Sequence, residues 1–292
     1  MKKQSKRSLQ IVDIAKEPLE KIPYITAATQ GAGISYEWLP IYWGEMLGMP
    51  EELDAVVIAS DLQGIAGHGC GETQEADHVG GSEIGGQKLL GEELADTLAL
   101  LLQIHLPDLN PDKMMVCLCG DLFTDPAQRG ASGDPLPVWR AFRKYFGFVT
   151  GVAGNHDLLT QEGIDELSAA AGVHFFSEAG MITYGELSIA GLGGIIGRAD
   201  KPNRMAEASY LESLRRLVRR RPDILLLHES PEIGAQGLPG NLVIYQELRG
   251  ASVPLVCCGH IHWEEALAEL ADGPQILNVD GRAYIFTAAA LD

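Results

Sequence analysis

Short apolar runs alternate with longer amphipathic segments through most of this chain. Five runs have the length and the Val, Ile and Met content of buried strands, at 56–60, 114–119, 148–153, 224–228 and 253–258. Between them, apolar residues recur at helical spacing in 87–104, 137–146, 162–171 and 205–220. Strands that alternate with helices predict an α/β fold.

Two glycine-containing turns predict β-hairpins. Tyr184-Gly185 interrupts the alternating segment 181–192, and Asp280-Gly281 interrupts the segment 276–288. A turn of this kind between two alternating apolar segments is typical of a hairpin. The sheet content is therefore predicted to be mixed.

The first 54 residues precede the first clear strand and contain a group of aromatic side chains. These are Tyr36, Trp38, Tyr42 and Trp43. Aromatic residues most often serve packing, so we predict that 1–54 is an N-terminal extension packed on a domain that spans 55–292. The alternatives are a partner surface, including one that forms an oligomer, and a lid over a pocket.

The charge balance restricts the classes of partner. The 292-residue chain has 46% hydrophobic and 21% charged residues, which is the composition of a packed globular protein. Its formal net charge is −18, so its surface repels phosphate backbones and anionic lipid. We therefore expect neither a nucleic-acid polymer nor a membrane as partner. An acidic protein still acts on phosphates when bound divalent cations supply the positive charge.

Cysteine usage and the start of the chain predict a cytoplasmic location. The five Cys form no CxxC pair and lack the density of a secreted disulfide scaffold. The basic start, MKKQSKR, is followed by no apolar run long enough for a signal peptide. The longest apolar stretch, 94–106, contains Asp96, Gln103 and His105 and is too short to span a bilayer.

Polar side chains that commonly bind metals lie at or just after the end of each of the five predicted strands. They are Asp61, Gln63, Asp121, Asn155, His156, Asp157, His228, His260 and His262. In α/β sheets, ligands bind at the carboxyl edge of the strands. The sequence therefore predicts that five strand ends converge on one cleft.

These residues fall in five short motifs with a fixed order along the chain. The motifs are Asp61-Leu62-Gln63, Gly120-Asp121, GNHD at 154–157, a lone His228 and GHIH at 259–262. An ordered set is far more specific than any single motif. From Asp61 to His262 the chain resembles the calcineurin-like metallophosphoesterase superfamily. The resemblance implies an α/β domain in which two mixed β-sheets pack as a sandwich flanked by helices.

The resemblance also implies a dinuclear metal centre. The ligands would be Asp61, Asp121 and His262 for one ion, and Asp121, Asn155, His228 and His260 for the other. Asp121 would therefore bridge the two ions. Such a pair clamps the attacking and leaving oxygens of a displacement at phosphorus, and the implied nucleophile is a hydroxide held between the ions.

Further residues are implied to act on the substrate. His156 would protonate the leaving oxygen, with Asp157 or Asp125 to orient its ring. Three arginines in nearby loops are candidates for pairing with phosphate oxygens, although a surface role suits each one alone. They are Arg129, Arg198 and Arg204.

Gln63 departs from the resemblance, because the family usually has His at this position. A Gln amide oxygen is a neutral, hard ligand that suits Mn²⁺ or Mg²⁺ better than Zn²⁺. We therefore expect two divalent ions with Mn²⁺ favoured, and with Mg²⁺, Fe or Zn²⁺ as alternatives. Alternatively, Gln63 holds a metal-bound water, or His68 or His78 from the aperiodic glycine-rich loop 64–86 fills the position.

The residues and the resemblance together predict metal-dependent hydrolysis of a phosphate mono- or diester. The xVDRG pattern that protein phosphatases of the family carry after GD is absent, and the acidic surface disfavours long nucleic acids. We therefore expect a small phosphorylated molecule or a nucleotide as substrate. The alternative is a weakly active or inactive scaffold that binds a protein partner, suggested by Gln63 and the aromatic N-terminal segment.

Overall fold

The computed structural model describes residues 8–28, 33–67 and 88–290. The α-helices in these ranges are α1 Leu90–His105, α2 Leu136–Tyr145, α3 Gln161–Ala169, α4 Glu207–Arg219 and α5 Leu242–Leu248. The strands are β1 Gln10–Ile14, β2 Glu20–Ala27, β3 Ile34–Leu47, β4 Ala55–Ser60, β5 Ile65–Ala66, β6 Met114–Leu118, β7 Phe148–Val152, β8 Val173–Phe176, β9 Gly180–Tyr184, β10 Leu187–Leu192, β11 Ile195–Ile196, β12 Arg204–Met205, β13 Ile224–Glu229, β14 Leu255–Gly259, β15 Leu267–Glu269, β16 Gln275–Asn278 and β17 Arg282–Ala288. None of the helices described here is long and apolar enough to cross a membrane.

Most of the strands form two large mixed sheets. The first has nine strands in the order β5-β2-β3-β17-β4-β6-β7-β8, with β1 paired to β3. In it, β4, β6, β7 and β8 are parallel, and β17 lies antiparallel to β4. The second has six strands in the order β15-β16-β14-β13-β10-β9, of which β16, β14, β13 and β10 are parallel. This arrangement leaves both sheets mixed.

The two sheets pack face to face because their central strands are apolar on both faces. Successive residues of a strand point to opposite faces, and in β4 Val56 and Ile58 share one buried cluster with Leu226 of the second sheet. Val57 belongs instead to the cluster that α1 and α2 cover. On the far face of the second sheet, Leu225 packs with α4 and α5. The layers are therefore helix, sheet, sheet, helix, and the predicted sandwich is confirmed.

The central elements of the fold agree with the hydrophobic pattern. The five predicted strands are present as β4, β6, β7, β13 and β14, and the four predicted helices as α1 to α4, with ends that differ by a few residues. The hairpin predicted in 181–192 is also present, since β9 and β10 pair antiparallel. Gly185 at its turn has φ 56°, a conformation that suits glycine.

The segment 276–288 does not form the hairpin that its Asp280-Gly281 turn predicts. β16 lies in the second sheet beside β14 and β15, whereas β17 lies in the first sheet between β4 and β3. The chain crosses from one sheet to the other at this turn. Alternating apolar positions show which face of a strand is buried and not which strand it pairs with. For that reason the hairpin prediction is wrong here.

Residues 10–47 contain three strands of the first sheet, which the sequence pattern did not predict. β3 is 14 residues long and pairs parallel to β17 and antiparallel to β1 and β2. Its first half leaves Tyr36 and Trp38 exposed at 66% and 61%, so it lacks the continuous apolar run of a central strand. The domain boundary after residue 54 stays a prediction, and β3 continues the sheet of the 55–292 segment through β17.

Candidate metal centre

Strand ends from both sheets meet at one edge of the sandwich. His260, just after β14, donates its backbone N–H to the Asp61 carboxylate after β4 at 2.9 Å. His228 near the end of β13 donates its Nδ1–H to the carbonyl of Cys119 after β6 at 2.8 Å. These two contacts bring the carboxyl ends of β4, β6, β13 and β14 together, and β7 is the neighbour of β6.

Asp121, His228 and His260 form a compact group of ligand atoms. One such atom from each lies within 4.8 Å of the others. His228 Nε2 is 3.4 Å from the Asp121 carboxylate and 3.2 Å from the Asn155 amide oxygen. Because His228 Nδ1 is committed to a backbone carbonyl, Nε2 is the nitrogen that faces these oxygens. A carboxylate, two imidazoles and an amide oxygen fit a divalent transition-metal ion.

The electrostatics of this edge favour a bound cation. Burial raises the pKa of Asp61 well above its usual range, and the nearby Asp280 carboxylate adds to the effect. Burial also opposes ionisation of Asp121, but the charge and hydrogen bond of His228, together with the contacts of His156, outweigh it and lower the pKa of Asp121. Burial and the same charge lower the pKa of His260 to about 4, so its imidazole is neutral at neutral pH. A neutral imidazole beside buried carboxylates is a donor set that a divalent cation stabilises.

Three of the residues at the strand ends have a left-handed backbone conformation. The angle φ is 53° at Asp61, 53° at Asp121 and 70° at His260, which is uncommon for residues other than glycine and turns the chain sharply. Two glycines let the loops approach the carboxylates. A Cβ atom at Gly154 would lie 2.0 Å from Asp121 Oδ1, and one at Gly259 would lie 2.1 Å from Asp61 Oδ2. The glycines of GNHD and GHIH are therefore required by close packing.

Asp157 joins the GD and GNHD loops. Its buried carboxylate accepts hydrogen bonds from the backbone N–H groups of Asp121, Leu122 and Gly154, each at 2.8 Å. Burial and the Asp121 charge raise the pKa of Asp157 to about 6. These contacts position the backbone of the GD and GNHD loops.

The His156 ring contacts Ser132, a residue to which the sequence analysis did not point. Its Nδ1 lies 3.2 Å from the Ser132 hydroxyl oxygen, and the His156 backbone N–H donates to Asp121 Oδ1 at 2.8 Å. Asp125 accepts instead from the backbone N–H of Ala127 at 2.8 Å. In the part of the chain that is described, neither aspartate suggested as its orienting partner hydrogen-bonds the His156 ring.

The position implied for the first ion is only partly assembled. Asp61 Oδ2 accepts the Ser60 hydroxyl at 2.7 Å, and Gln63 Nε2 donates to Asp121 Oδ2 at 3.2 Å. The Gln63 amide nitrogen therefore faces Asp121, and its oxygen would take that place only after a half-turn of the amide. The loop histidines His68 and His78 lie outside the described residues.

The His262 ring hydrogen-bonds residues outside the compact group of ligand atoms. Its Nδ1 donates to Asp280 Oδ2 at 3.0 Å, and its Nε2 accepts from Arg282 Nη2 at 2.8 Å. Arg282 is buried and also donates to the carbonyl of Trp263. The sequence pattern did not point to Asp280 and Arg282, because both fall in the segment predicted as a hairpin. The position of Asp280 just after β16 was the available signal, since other site residues follow strands in the same way.

A buried polar network supports the GHIH loop. Ser230 donates its hydroxyl to the carbonyl of Gly259, and Asn278 Nδ2 donates to Ser230 Oγ at 3.0 Å and to the carbonyl of Ile261 at 2.9 Å. Both side chains are fully buried. Nothing in the sequence distinguishes them from ordinary strand-end residues, because their role depends on contacts between strands.

Of the three arginines suggested for phosphate binding, Arg129 and Arg198 are on the surface and Arg204 is half-buried. Arg198 pairs with Asp200 of its own loop through hydrogen bonds of 3.0 and 2.6 Å, and its side chain is 75% exposed. Arg129 is exposed in the segment between β6 and α2. The structure therefore places Arg198 in an ion pair that a phosphate would have to replace.

The architecture and the edge residues together define a class of protein. Two mixed sheets packed as an α/β sandwich, with carboxylates and imidazoles at the carboxyl edge, are the features of the metallophosphoesterase fold. Residues 55–264 match the family of calcineurin-like phosphoesterases. The match spans well over half of the 292 residues, and the protein belongs to that family. The resemblance inferred from the motifs is thereby confirmed.

Solved structures resemble this chain at low sequence identity. TT1561 of Thermus thermophilus is 13% identical with a TM-score of 0.54, over 78% of this chain and 89% of that chain. A hypothetical protein from the same organism is 18% identical with a TM-score of 0.43, over 78% and 76% of the two chains. NAD nucleotidase of Haemophilus influenzae is 12% identical with a TM-score of 0.38, over 80% of this chain and 44% of that chain. No curated protein sequence matches this chain.

Proposed function

We propose that this protein is a metal-dependent hydrolase of phosphate esters. The observation that carries the proposal is the compact group of Asp121, His228 and His260 beside the Asn155 amide oxygen, in a chain of the calcineurin-like family. The mixed donors suit Mn²⁺, with Mg²⁺, Fe or Zn²⁺ as alternatives. Divalent ions in such sites neutralise charge on the phosphoryl oxygens and activate water as the nucleophile.

Two ions of unequal affinity are proposed, with Asp121 shared between them. The stronger position has the complete donor group described above. The weaker position has Asp61 and Gln63, and Gln63 already contacts the Asp121 carboxylate. His262 joins this position only if it leaves Asp280 and Arg282, which costs two hydrogen bonds.

His156 is proposed to protonate the leaving oxygen. Its backbone contact with Asp121 keeps it beside the metal ligands, and the Ser132 hydroxyl faces Nδ1, so Nε2 is the nitrogen available to the substrate. Asp157 would act on this step only through the backbone that it holds. Asp125 would affect this step only by holding the backbone of its own loop, through its contact with the Ala127 N–H.

The proposed substrate is a small phosphorylated molecule or a nucleotide, as a mono- or diester. The net charge of −18 supports a small substrate over a polyanion, because a polymer would meet repulsion beyond the metal site. Arg129 and Arg198 are the proposed contacts of the phosphate oxygens, with Arg198 exchanging Asp200 for the substrate. The proposed location is the cytoplasm, where the four described cysteines, which are free and buried, would stay reduced.

A scaffold with weak or no activity is the second proposal. It is favoured by the exposed Tyr36 and Trp38 on β3, which would suit a protein partner or a second copy of the chain. The contact of Gln63 with Asp121 also suits a weakened metal position.

Turnover of p-nitrophenyl phosphate and of bis(p-nitrophenyl) phosphate with Mn²⁺ tests the two proposals. A hydrolase turns over at least one of them, and the preferred one separates monoesterase from diesterase activity. His228→Ala should abolish turnover, whereas Arg219→Gln on the exposed face of α4 should leave it unchanged. A protein that binds Mn²⁺ and hydrolyses neither compound would favour the scaffold.

A further inference from the structure

A large cavity lies at the same edge of the sandwich as the metal-binding residues. It has a volume of about 590 Å³ and is lined by residues of α3 and α4 and by the carboxyl ends of three strands. These ends are marked by Ala153 after β7, Phe176 in β8 and Leu192 in β10. β7 and β8 run parallel to β6, and β10 runs parallel to β13, so the cavity and the metal site share one edge.

The GNHD loop connects the cavity to the metal site. Asn155 contacts His228 on one side, whereas Asp157 and Leu158 line the cavity on the other. Three residues of chain span at most roughly 10 Å, so the two places are neighbours. Asn203, which also lines the cavity, donates Nδ2–H bonds to the carbonyls of Gly154 and Asp157. The cavity wall is thus hydrogen-bonded to the loop that presents Asn155.

The lining combines apolar walls with two cations. The apolar side chains include Leu159, Ile164, Phe175, Phe176, Leu192 and Met205. The cations are Arg204 and Arg216; of the two acidic residues in the lining, Asp157 is buried and Glu178 lies at the exposed rim. Arg216 makes a long hydrogen bond of 3.4 Å to a backbone carbonyl, and Arg204 has no ion-pair partner among the described residues. Guanidinium groups that are not held in an ion pair, beside apolar walls, suit an organic anion.

We propose that this cavity receives the organic part of the phosphoester substrate and selects an apolar, ring-containing group that carries a second anionic substituent. The inference rests on the proposed hydrolase function. A volume of several hundred Å³ is typical of small-molecule sites and far exceeds what a phosphate group needs. The phenylalanines would pack on the ring, and Arg204 with Arg216 would pair with the second anion.

Binding of 1-anilinonaphthalene-8-sulfonate, an aromatic anion of this class, tests the site without any turnover. The folded wild type should bind it, and replacing both arginines by Arg204→Gln and Arg216→Gln should weaken binding about tenfold or more, since charged hydrogen bonds are lost. Ala179→Phe should abolish binding by filling the cavity. Arg219→Gln, on α4 but outside the lining, is the matched control and should bind as the wild type does.

Each variant is first compared with the wild type by circular dichroism and thermal unfolding. Should Ala179→Phe not fold, the arginine pair and its control still decide the question. Wild-type protein that is folded and does not bind the dye would overturn the proposal. Binding that all variants leave unchanged would overturn it as well.

Kinetics with 1-naphthyl phosphate distinguish this inference from the proposed function. The dye should inhibit competitively, and the double arginine variant should raise KM for anion-substituted naphthyl phosphates while kcat changes little. If the protein hydrolyses these substrates but the dye inhibits noncompetitively, this inference alone is contradicted. The same holds if KM is unchanged in the cavity variants. Lack of turnover for every phosphoester tested, in protein that retains its metal, would contradict the proposed function and with it the substrate role of the cavity.

Discussion

The Asp121 carboxylate contacts residues from three separate segments at the candidate metal centre. Its Oδ1 accepts the His156 backbone N–H, and its Oδ2 lies 3.2 Å from Gln63 Nε2 and 3.4 Å from His228 Nε2. Its own backbone N–H is held by Asp157. One carboxylate therefore contacts residues that follow β4 and β7 and a residue of β13, which is the arrangement that a bridging ligand requires.

Removing the His156 ring should separate acid catalysis from metal binding. We expect His156→Ala to lower turnover by about 10²- to 10⁴-fold, most for poor leaving groups, because the ring is proposed to protonate the leaving oxygen. Metal content should stay near that of the wild type, since only the backbone of His156 contacts Asp121. Steady-state rates for p-nitrophenyl and alkyl phosphates, with elemental analysis, measure both quantities. An equal loss for the two leaving groups would rule out the acid role.

The departure at Gln63 predicts a change in metal preference. Gln63→His should raise the affinity of the weaker position for Zn²⁺ relative to Mn²⁺, because imidazole is the softer donor. Gln63→Ala should weaken that position and leave the ion at Asn155, His228 and His260 in place. Titration of each variant with both metals gives the two affinities. Identical affinities in wild type and both variants would show that the Gln63 side chain is not a ligand.

At the scale of elements, the backbone at the end of β14 packs closely against side chains at the end of β4. We expect Gly259→Ala to reduce metal retention and to lower the free energy of unfolding by about 1–3 kcal/mol, because its Cβ would lie 2.1 Å from Asp61 Oδ2. Gly234→Ala is the control, since its nearest neighbouring atom would be at 3.5 Å. Chemical denaturation and elemental analysis of both variants provide the comparison. Equal metal content in the two would contradict the close-packing argument.

The central strands and the strand-end residues could be predicted, because a strand buried on both faces reads as a continuous apolar run. β3 could not, since its first half is exposed on one face and carries Tyr36 and Trp38 there. The crossing at Asp280 was missed because local alternation carries no information on pairing partners. Ser132 beside His156 was missed for a similar reason, since the contact joins residues 24 positions apart in chain segments without strong periodicity.

At the scale of the whole molecule, a strongly negative chain has its buried carboxylates gathered at one edge. The net charge is −18, and burial at this edge opposes ionisation of Asp61, Asp121 and Asp157. Burying several carboxylates close together costs free energy that a bound cation offsets, so folding and metal binding should be linked. The cation that the proposed chemistry requires would also stabilise the fold.

Removing the metal should therefore lower the thermal stability of the whole protein. An ion at about 100 times its Kd contributes about 2.7 kcal/mol to the folded state. For a chain of this size, with an unfolding entropy of about 2.1 cal/mol/K per residue, that corresponds to a fall in Tm of roughly 4–5 °C after chelation. Scanning calorimetry of metal-loaded and chelated protein measures the difference, and adding Mn²⁺ back should restore the higher Tm. Asp121→Asn is the control, because the loss of the shared carboxylate should make Tm nearly independent of chelator. If elemental analysis shows that the metal is gone and the wild-type Tm is unchanged, the buried carboxylates at this edge do not need a cation for stability.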